Sequence, residues 1–537
     1  MSLQWGVTPP LTLDTATEGE KALSRALREE LVARGQFEPE AHARLRQKVI
    51  GKLNKMVKDW VKETLLAKKQ PPSVAASAGG KIFAYGSYRL GVCTESSDID
   101  TLCVLPRDAT VDDFFKTFKA RLEARPEVTE LVAVREAVVP IIKIVFATIQ
   151  IDLIVASLSM SAIPDTLQLD NDMVLQGMTD SGARTLNGSR VTDKILKVIP
   201  DPAPFRLVLR AIRLWSKSRL LYGFLKGFFN GITLAILVAR VCQLVPYGAP
   251  AKIISMFFKL FKEWNFRKNP IRLVPAQDSM LGLTQWDPTN YRDRGHLMPV
   301  LTPAYPSLNA NTNITRSTIE IIRAEFERGE EIVNAVYAGQ ASWGKLFEPP
   351  RFFKMYRTFF MITAYAATPE AMGVWHGYVE SRLLRDFVMK LENELQIEAV
   401  HPYTKEFENV IPGEDRQNCV FFVGVQFAED LLKRRNKRID LGAPAFAFQK
   451  RLSEWPDRSS DMTIDILPLK RKDLPPFVKE LMKARRKAEK SAAKAAAAAT
   501  AAVAAPPAIA AQPPPAPKRP LDEAPAAAPA KKQKMLE

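Results

Sequence analysis

Residues 81–105 constrain this chain more than any other stretch. Two short apolar runs, Lys81 to Tyr85 and Ile99 to Leu105, are separated by a Gly86-Ser87 turn, and the second is entered through Asp98-Ile99-Asp100. Alternate side chains of a β-strand point to the same face, so Asp98 and Asp100 project together. Two adjacent carboxylates repel unless a cation lies between them. Small residues in the turn let backbone N–H groups approach an anion closely. The expectation is a strand-turn-strand unit that presents a phosphate-sized concavity beside a pair of acids.

A third acid extends the pair. Asp152 sits inside Ile149-Gln150-Ile151-Asp152-Leu153-Ile154-Val155, where an acid in a β-rich apolar run is costly without compensation. Alone it fits a satisfied edge residue equally well. With Asp98 and Asp100 it completes a set able to hold two Mg²⁺ ions. One would activate an attacking hydroxyl and the other would neutralise a triphosphate. The chemistry so implied is metal-dependent phosphoryl or nucleotidyl transfer by in-line displacement, carried by positioning and charge stabilisation.

Around this unit, Glu18 to Arg34 and Glu40 to Leu66 have amphipathic helical periodicity, and Pro71-Pro72 ends the second. Val111 to Leu122 predicts a helix. Val138 to Val145 and Thr148 to Val155 predict a hairpin turning at Phe146-Ala147. Together these imply a small mixed sheet covered by helices. From Pro204 the texture becomes long helices: Phe205 to Leu220, Ile232 to Val245, Ala251 to Trp264 and, after a Pro-rich connection, Ser317 to Arg328. Beyond Arg351, Cys419 to Phe427 and Met462 to Leu469 read as paired strands of a separate α+β domain. From Ser491 the alanine, proline and scattered lysine are too poor in large apolar groups to build a core.

Ten of the seventeen net positive charges lie ahead of Lys483, so the body itself is basic. That suits a polyanion such as nucleic acid, although a basic surface also serves solubility. Cys93, Cys103, Cys242 and Cys419 are far apart, as are the four histidines, which indicates neither a zinc site nor a disulfide framework. No secretory signal is visible, and the apolar run Ile232 to Val245, broken by Arg240, is too short to span a bilayer. A soluble intracellular protein without a membrane partner is expected.

The Phe205 to Leu220 helix adds a second signal. Arg206, Arg210, Arg213 and Lys217 fall on one narrow stripe. Such a stripe is solvated in many helices; next to a nucleotide site it would bind triphosphate or RNA. Tyr222 is placed either to stack on a base or to pack as an ordinary half-buried tyrosine. Asn230-Gly231 predicts a tight turn before the next helix.

At these residues the chain resembles the eukaryotic poly(A) polymerases of the DNA polymerase β-like nucleotidyltransferase superfamily. The resemblance is carried by residues 83–92, Phe-Ala-Tyr-Gly-Ser-Tyr-Arg-Leu-Gly-Val, and 97–102, Ser-Asp-Ile-Asp-Thr-Leu. It continues through 139–144, 151–154, 186–191, 209–215, 298–306 and 401–405, and reaches from the N-terminus to about Phe477. It implies an α+β, multidomain protein. The expected parts are N-terminal helices (1–70) packing with the middle domain, a palm-like catalytic mixed sheet (71–203), a helical middle domain (204–350), a C-terminal RRM-like domain (351–482) and a disordered basic tail (483–537).

It further implies Asp98, Asp100 and Asp152 as ligands for two Mg²⁺ or Mn²⁺ ions. ATP would meet Tyr85, Gly86, Ser87, Asn187, Arg213, Tyr222, Gly231 and Ile232, together with Asp98 and Asp152. Val139 and Lys143 would lie along the RNA 3′ end. The implied activity is template-independent addition of AMP from ATP to single-stranded RNA 3′ ends, in the nucleus, by a monomer working with cleavage and polyadenylation factors. Arg213 stands where the family usually has lysine, and Asn230-Gly231-Ile232 where it has Gly-Gly-Val, which predicts an altered ATP affinity. A polymerase of other base choice and a catalytically silent RNA-binding scaffold are the rivals. Lys518-Arg519 and Lys531-Lys532-Gln533-Lys534 resemble a bipartite nuclear import signal.

Overall fold

The computed structural model describes residues 5–135, 139–394, 397–428 and 441–504, in two compact units, residues 1–474 and 475–537. In the first unit α1 (Glu18–Ala33) begins with a capping box between Thr17 and Glu20 and is followed by α2 (Glu40–Ala67). A five-stranded sheet then forms from β1 (Lys81–Ala84), β2 (Ile99–Leu105), β3 (Val128–Val134), β4 (Ile141–Phe146) and β5 (Ile149–Ser157), in the order β1-β2-β5-β4-β3. Only β2 and β5 run parallel, so the expected mixed sheet is present, with its parallel pair at the centre.

Strand alternation divides this sheet into two faces. Ile99, Cys103, Leu105, Ile151, Leu153 and Val155 face α2 and the Phe114–Phe118 turn. Leu102, Val104, Ile154 and Ala156 face the helix Asp180–Val198 through Ala183 and Leu186. Asp98, Asp100 and Asp152 share the parity of this second face.

Several expectations change. The predicted Val111–Leu122 helix is interrupted by a π-helical turn at Phe114–Phe118. The hairpin turns at Ala147-Thr148 rather than Phe146-Ala147. Both residues take positive φ (48° and 72°), the mirror-image geometry that matches strand twist. The N-terminal helices do not act as one body. α1 enters the helical core through Leu27 and Leu31, whereas α2 covers the first sheet through Val49, Leu53, Trp60 and Leu65. The edge strand β3 escaped sequence reading because its half-exposed Val128–Val134 pattern is weak.

The helical region is built from Pro202–Ser218, Gly231–Leu244, Pro250–Glu263 and Arg316–Tyr337. Trp215 stacks on Phe326 at 5.8 Å between centroids and meets Phe257 and Phe258 edge-on at its centre. Residues 351–474 hold β6 (Thr358–Ala366), β7 (Ile397–Pro402), β8 (Phe407–Glu408), β9 (Gln417–Phe427) and β10 (Thr463–Lys470), in the antiparallel order β10-β6-β9-β7 with β8 on β9. Two helical segments cover one face, which is the split βαβ arrangement of an RRM-like domain. The expected pairing of Cys419–Phe427 with Met462–Leu469 is corrected: β10 pairs β6, which lies between them. The sheet's other face is filled from within by Phe352, Phe353, Tyr403, Phe407 and Phe422.

In the second unit a helix spans Pro476–Ala504 and so runs into the first part of the 483–537 segment expected to be disordered, the rest of which lies outside the described residues. Alanine has the highest helix propensity, so a run without apolar bulk still forms this element. The Lys518-Arg519 and Lys531–Lys534 clusters lie outside the described residues.

Candidate active site

The parallel register places Asp100 of β2 opposite Asp152 of β5, and Asp98 lies two residues earlier on the same parity. One carboxylate oxygen from each can be chosen so that all lie within 4.8 Å of one another. Burial is the first cause, and Asp98 and Asp152 the next, that push the Asp100 carboxyl up to about 7. Asp152 is also raised by burial, against the pull of Lys143. Lys143 stands opposite Asp152 on β4, its Nζ 3.3 Å from Oδ2. Three crowded carboxylates, Asp98 exposed and Asp100 and Asp152 partly buried, form an all-oxygen donor set that fits a hard divalent cation such as Mg²⁺ or Mn²⁺.

The turn after β1 is shaped to these acids. Gly86 adopts φ +60°, and a Cβ there would overlap the Asp100 carboxylate. Its N–H donates to Thr192 Oγ1 at 3.3 Å. A Cβ at Gly188 would lie 2.7 Å from the Tyr85 ring, so Gly188 lets that ring lie flat against the Asp180–Val198 helix. Burial and the three neighbouring acids push the Tyr85 hydroxyl up, so it stays protonated.

Above the acids opens a cavity of about 560 Å³. Tyr85, Gly86, Ser87, Asp98, Asp100 and Asn187 line one side. Arg213, Tyr222, Gly231 and Ile232 line the other. Every residue the sequence assigned to ATP except Asp152 therefore meets in one space, and Asp152 joins through the acid cluster. The Asn187 Oδ1 is buried with no hydrogen-bond partner. Lys217 lies over the Tyr222 ring at 5.2 Å, its ammonium pulled down by burial and by Arg213. Val139 is partly buried against the same apolar cluster as Tyr85 and Ile141 and does not join the cavity wall.

The departure at Asn230 has a local explanation. Its Oδ1 accepts from Thr233 N–H at 2.8 Å, an N-cap that starts the Gly231–Leu244 helix, while Nδ2 donates to the Ala310 carbonyl at 3.0 Å. Gly231 follows because a Cβ there would lie 3.3 Å from the Tyr222 hydroxyl.

The basic stripe is neither simply solvated nor turned wholly toward the cavity. Arg206 Nε donates to the Leu90 carbonyl at 3.0 Å. Arg210 donates to the carbonyls of Gln36, Gly91 and Cys93 at 2.6–2.8 Å, and Arg213 Nη1 to Val92 at 2.8 Å. Three guanidinium groups thus clamp the segment joining the Gly86-Ser87 turn to the acids. From the other side Arg46, fully buried on α2, bonds Glu38 and the Glu95 and Ser97 carbonyls just ahead of Asp98. Sequence reasoning missed this clamp because its acceptors are backbone atoms of distant segments. It also missed the 308–310 wall of the cavity, for which the Asn-rich run Ser307–Asn313 was the available sign.

Three contiguous family models match this chain: the poly(A) polymerase nucleotidyltransferase domain over residues 6–199, the poly(A) polymerase central domain over 204–349, and the poly(A) polymerase predicted RNA binding domain over 351–419. The chain belongs to the poly(A) polymerase family. Among curated relatives, a poly(A) polymerase of Schizosaccharomyces pombe is 43% identical over 408 residues, 76% of this chain and 72% of that one. Poly(A) polymerase PAPalpha of Candida albicans is 40% identical over 80% of this chain and 77% of its own length. Nuclear poly(A) polymerase 1 of Arabidopsis thaliana is 38% identical over 88% of this chain and 66% of its own. The boundaries of the poly(A) polymerase models at 199/204 and 349/351 coincide with the break between the helices Asp180–Val198 and Pro202–Ser218 and with the start of the C-terminal sheet domain.

Proposed function

We propose that this protein adds AMP from ATP to RNA 3′ ends without a template, releasing pyrophosphate. The observation that carries this reading is the convergence of Asp98, Asp100 and Asp152 at the floor of a nucleotide-sized cavity, in a chain of the poly(A) polymerase family. Asp98, Asp100 and Asp152 would hold Mg²⁺ or Mn²⁺, which would supply activation of the RNA 3′-hydroxyl and charge neutralisation at the triphosphate. Ser87 and Arg213 bind the triphosphate from opposite walls, and the clamp on residues 90–93 keeps those walls at a fixed separation. Tyr222 and Ile232 pack against the base, and the orphan Asn187 Oδ1 accepts from a ribose hydroxyl. Val139 and Lys143 lie toward the RNA end, with Lys143 held beside Asp152.

The domain divisions at 71, 204, 351 and 483 serve this reading as catalytic, helical, RNA-binding and tail segments. A nuclear site of action is supported by the basic tail clusters and by the name of the Arabidopsis relative. Nuclear cleavage and polyadenylation factors are the partners that fit such an activity, with the enzyme acting as a monomer. Among the described residues no helix is long and apolar enough to cross a membrane.

Primer extension of oligo(A) with each of the four NTPs, comparing wild type with Asp100→Ala, tests the reading. Extension with ATP alone that is lost in the variant supports it. Preference for another NTP, or no extension with Mg²⁺ or Mn²⁺, overturns it.

A further inference from the structure

Beside the nucleotide cavity lies a second one, of about 310 Å³, which shares Leu308 and Asn309 with it. Arg184, near the start of the Asp180–Val198 helix, forms one wall. Residues 284–296, which have no regular secondary structure, supply much of the rest. That segment is held from within. Thr284 donates through its N–H and hydroxyl to the Asp180 carboxylate at 3.0 and 2.7 Å, and Asp287 N–H donates to Asp293 Oδ2 at 3.0 Å.

The polar groups left over on this wall are donors. The Trp286 indole N–H donates to His296 Nδ1 at 3.0 Å, and this bond assigns the proton of the neutral ring to Nε2. Asn309 Oδ1 accepts from the N–H groups of Val300 and Asn311 at 3.0 and 2.9 Å, which fixes the amide. Its Nδ2 is then left buried without a partner. Arg184 and Arg292 are exposed and form no ion pair or side-chain hydrogen bond among the described residues. The one carboxylate on the wall, Asp293, is engaged by Asp287 N–H and lies 3.8 Å from His296.

A donor-lined cavity with two exposed guanidinium groups, of which Arg184 also acts on the nearby Asp180 carboxylate, selects an acceptor-rich anion. It contains none of the three candidate metal ligands, so it is not the seat of the reacting triphosphate. Its position next to the nucleotide cavity, with Leu308 and Asn309 lining both, suits a strand that continues away from the acids. We propose that this second cavity grips a phosphodiester of the RNA primer upstream of its 3′ end, through Arg184 and Arg292. The proposal rests on the nucleotidyl-transfer reading for the direction of the strand. Pyrophosphate offers the same oxygen chemistry, so the test separates the two.

Oligo(A) binding to the full chain would be measured by fluorescence anisotropy, without ATP, against salt concentration, for Arg184→Gln, Arg292→Gln and the double variant. Removing one phosphate contact from a single strand lowers the salt slope by about 0.7. Each single variant is therefore expected to weaken binding by about three- to tenfold and flatten the slope by about that amount. The loss should appear in primer KM rather than in kcat. One neutral methylphosphonate linkage near the primer's 3′ end should weaken wild-type binding and leave the double variant's binding almost unchanged. Arg294→Gln is the local control, since that guanidinium lies over Tyr291 at 4.8 Å and not on the cavity wall.

Wild-type affinity and slope in the double variant would overturn the proposal. So would an equal loss in Arg294→Gln, or weakened pyrophosphate inhibition with intact oligo(A) binding. A wild-type protein that binds oligo(A) through these arginines but extends it with no NTP would instead refute the transferase reading and leave the RNA contact standing.

Discussion

Asp100 of β2 and Asp152 of β5 stand directly opposite one another in the parallel register at the centre of the first sheet. The hydroxyl of the next residue, Thr101, donates to the Asp152 carbonyl at 3.0 Å and fastens the two strands at that level. The acids are therefore held together by backbone pairing, and their mutual repulsion is built into the fold.

Asp100→Asn removes a crowded charge and a candidate ligand without changing shape. Extension should fall by at least about 10³-fold, as expected when charge stabilisation of the transition state is lost. In chelator the variant should melt no lower than wild type, because burial and the two neighbouring acids, which outweigh Arg213 and Lys143, disfavour that charge. Parallel melts and extension rates check this; a variant that keeps activity removes Asp100 from the site.

The same crowding makes the metal-free protein sensitive to pH. Asp100, pushed to about 7, holds its proton more tightly folded than unfolded, where a carboxyl titrates near 3.8. Stability in chelator should therefore decline as pH rises from about 4 to about 7. Mg²⁺ should reverse the decline, and its affinity should rise with pH up to about 7, since binding displaces the proton. Melting temperatures with and without Mg²⁺ across that range test the sign.

Gly86→Ala forces a side chain into positive φ and into the Asp100 carboxylate. The backbone term alone costs about 1–2 kcal/mol. Activity should fall further than that stability loss implies, about 100-fold or more, because the acid must move. Urea unfolding beside steady-state kinetics separates the two effects.

Arg213→Ala should raise the KM for ATP and lower turnover, by about tenfold or more in kcat/KM, through loss of a cation on the cavity wall and of the bond to Val92. Arg213→Lys keeps the charge without the two-point guanidinium geometry and should recover part of the loss. An alanine variant with unchanged KM and turnover excludes Arg213 from nucleotide binding.

Outside the cavity wall, Lys226 of the helical region is buried among Glu380, Glu406 and the ring of Phe421, with His376 on the other oxygen of Glu406. Although burial raises Glu406, His376 and Lys226 pull it down to about 2. That contribution is present above the ordinary 4.5 and lost as pH falls toward about 2. His376, raised by Glu406, contributes below its ordinary 6.5 and loses its share as pH climbs through its raised value. Lys226→Met should cost about 3–5 kcal/mol by leaving Glu406 without its buried cation. Glu406→Gln should make the acid-side fall in melting temperature between about pH 4.5 and 3 shallower, leaving the share of other lowered carboxylates such as Glu414.

The sequence by itself determined the Asp98–Asp100 pair, the glycine turn and most of the helices, because strand parity, turn chemistry and helical period act between neighbours in the chain. The parallel pairing of β2 with β5 brought Asp152 to that pair. Asp98 and Asp100 needed nothing beyond their two-residue spacing to share a face. The pairing of β10 with β6, the separate allegiances of α1 and α2, and the arginine clamp on residues 90–93 were decided by tertiary structure. Arg210 illustrates the reason. Its periodicity placed it on a basic stripe, but its bonds run to the carbonyls of Gln36, Gly91 and Cys93, more than a hundred residues away. Backbone acceptors carry no residue identity, so nothing in the sequence marks them. Only folding brings them within reach of a guanidinium.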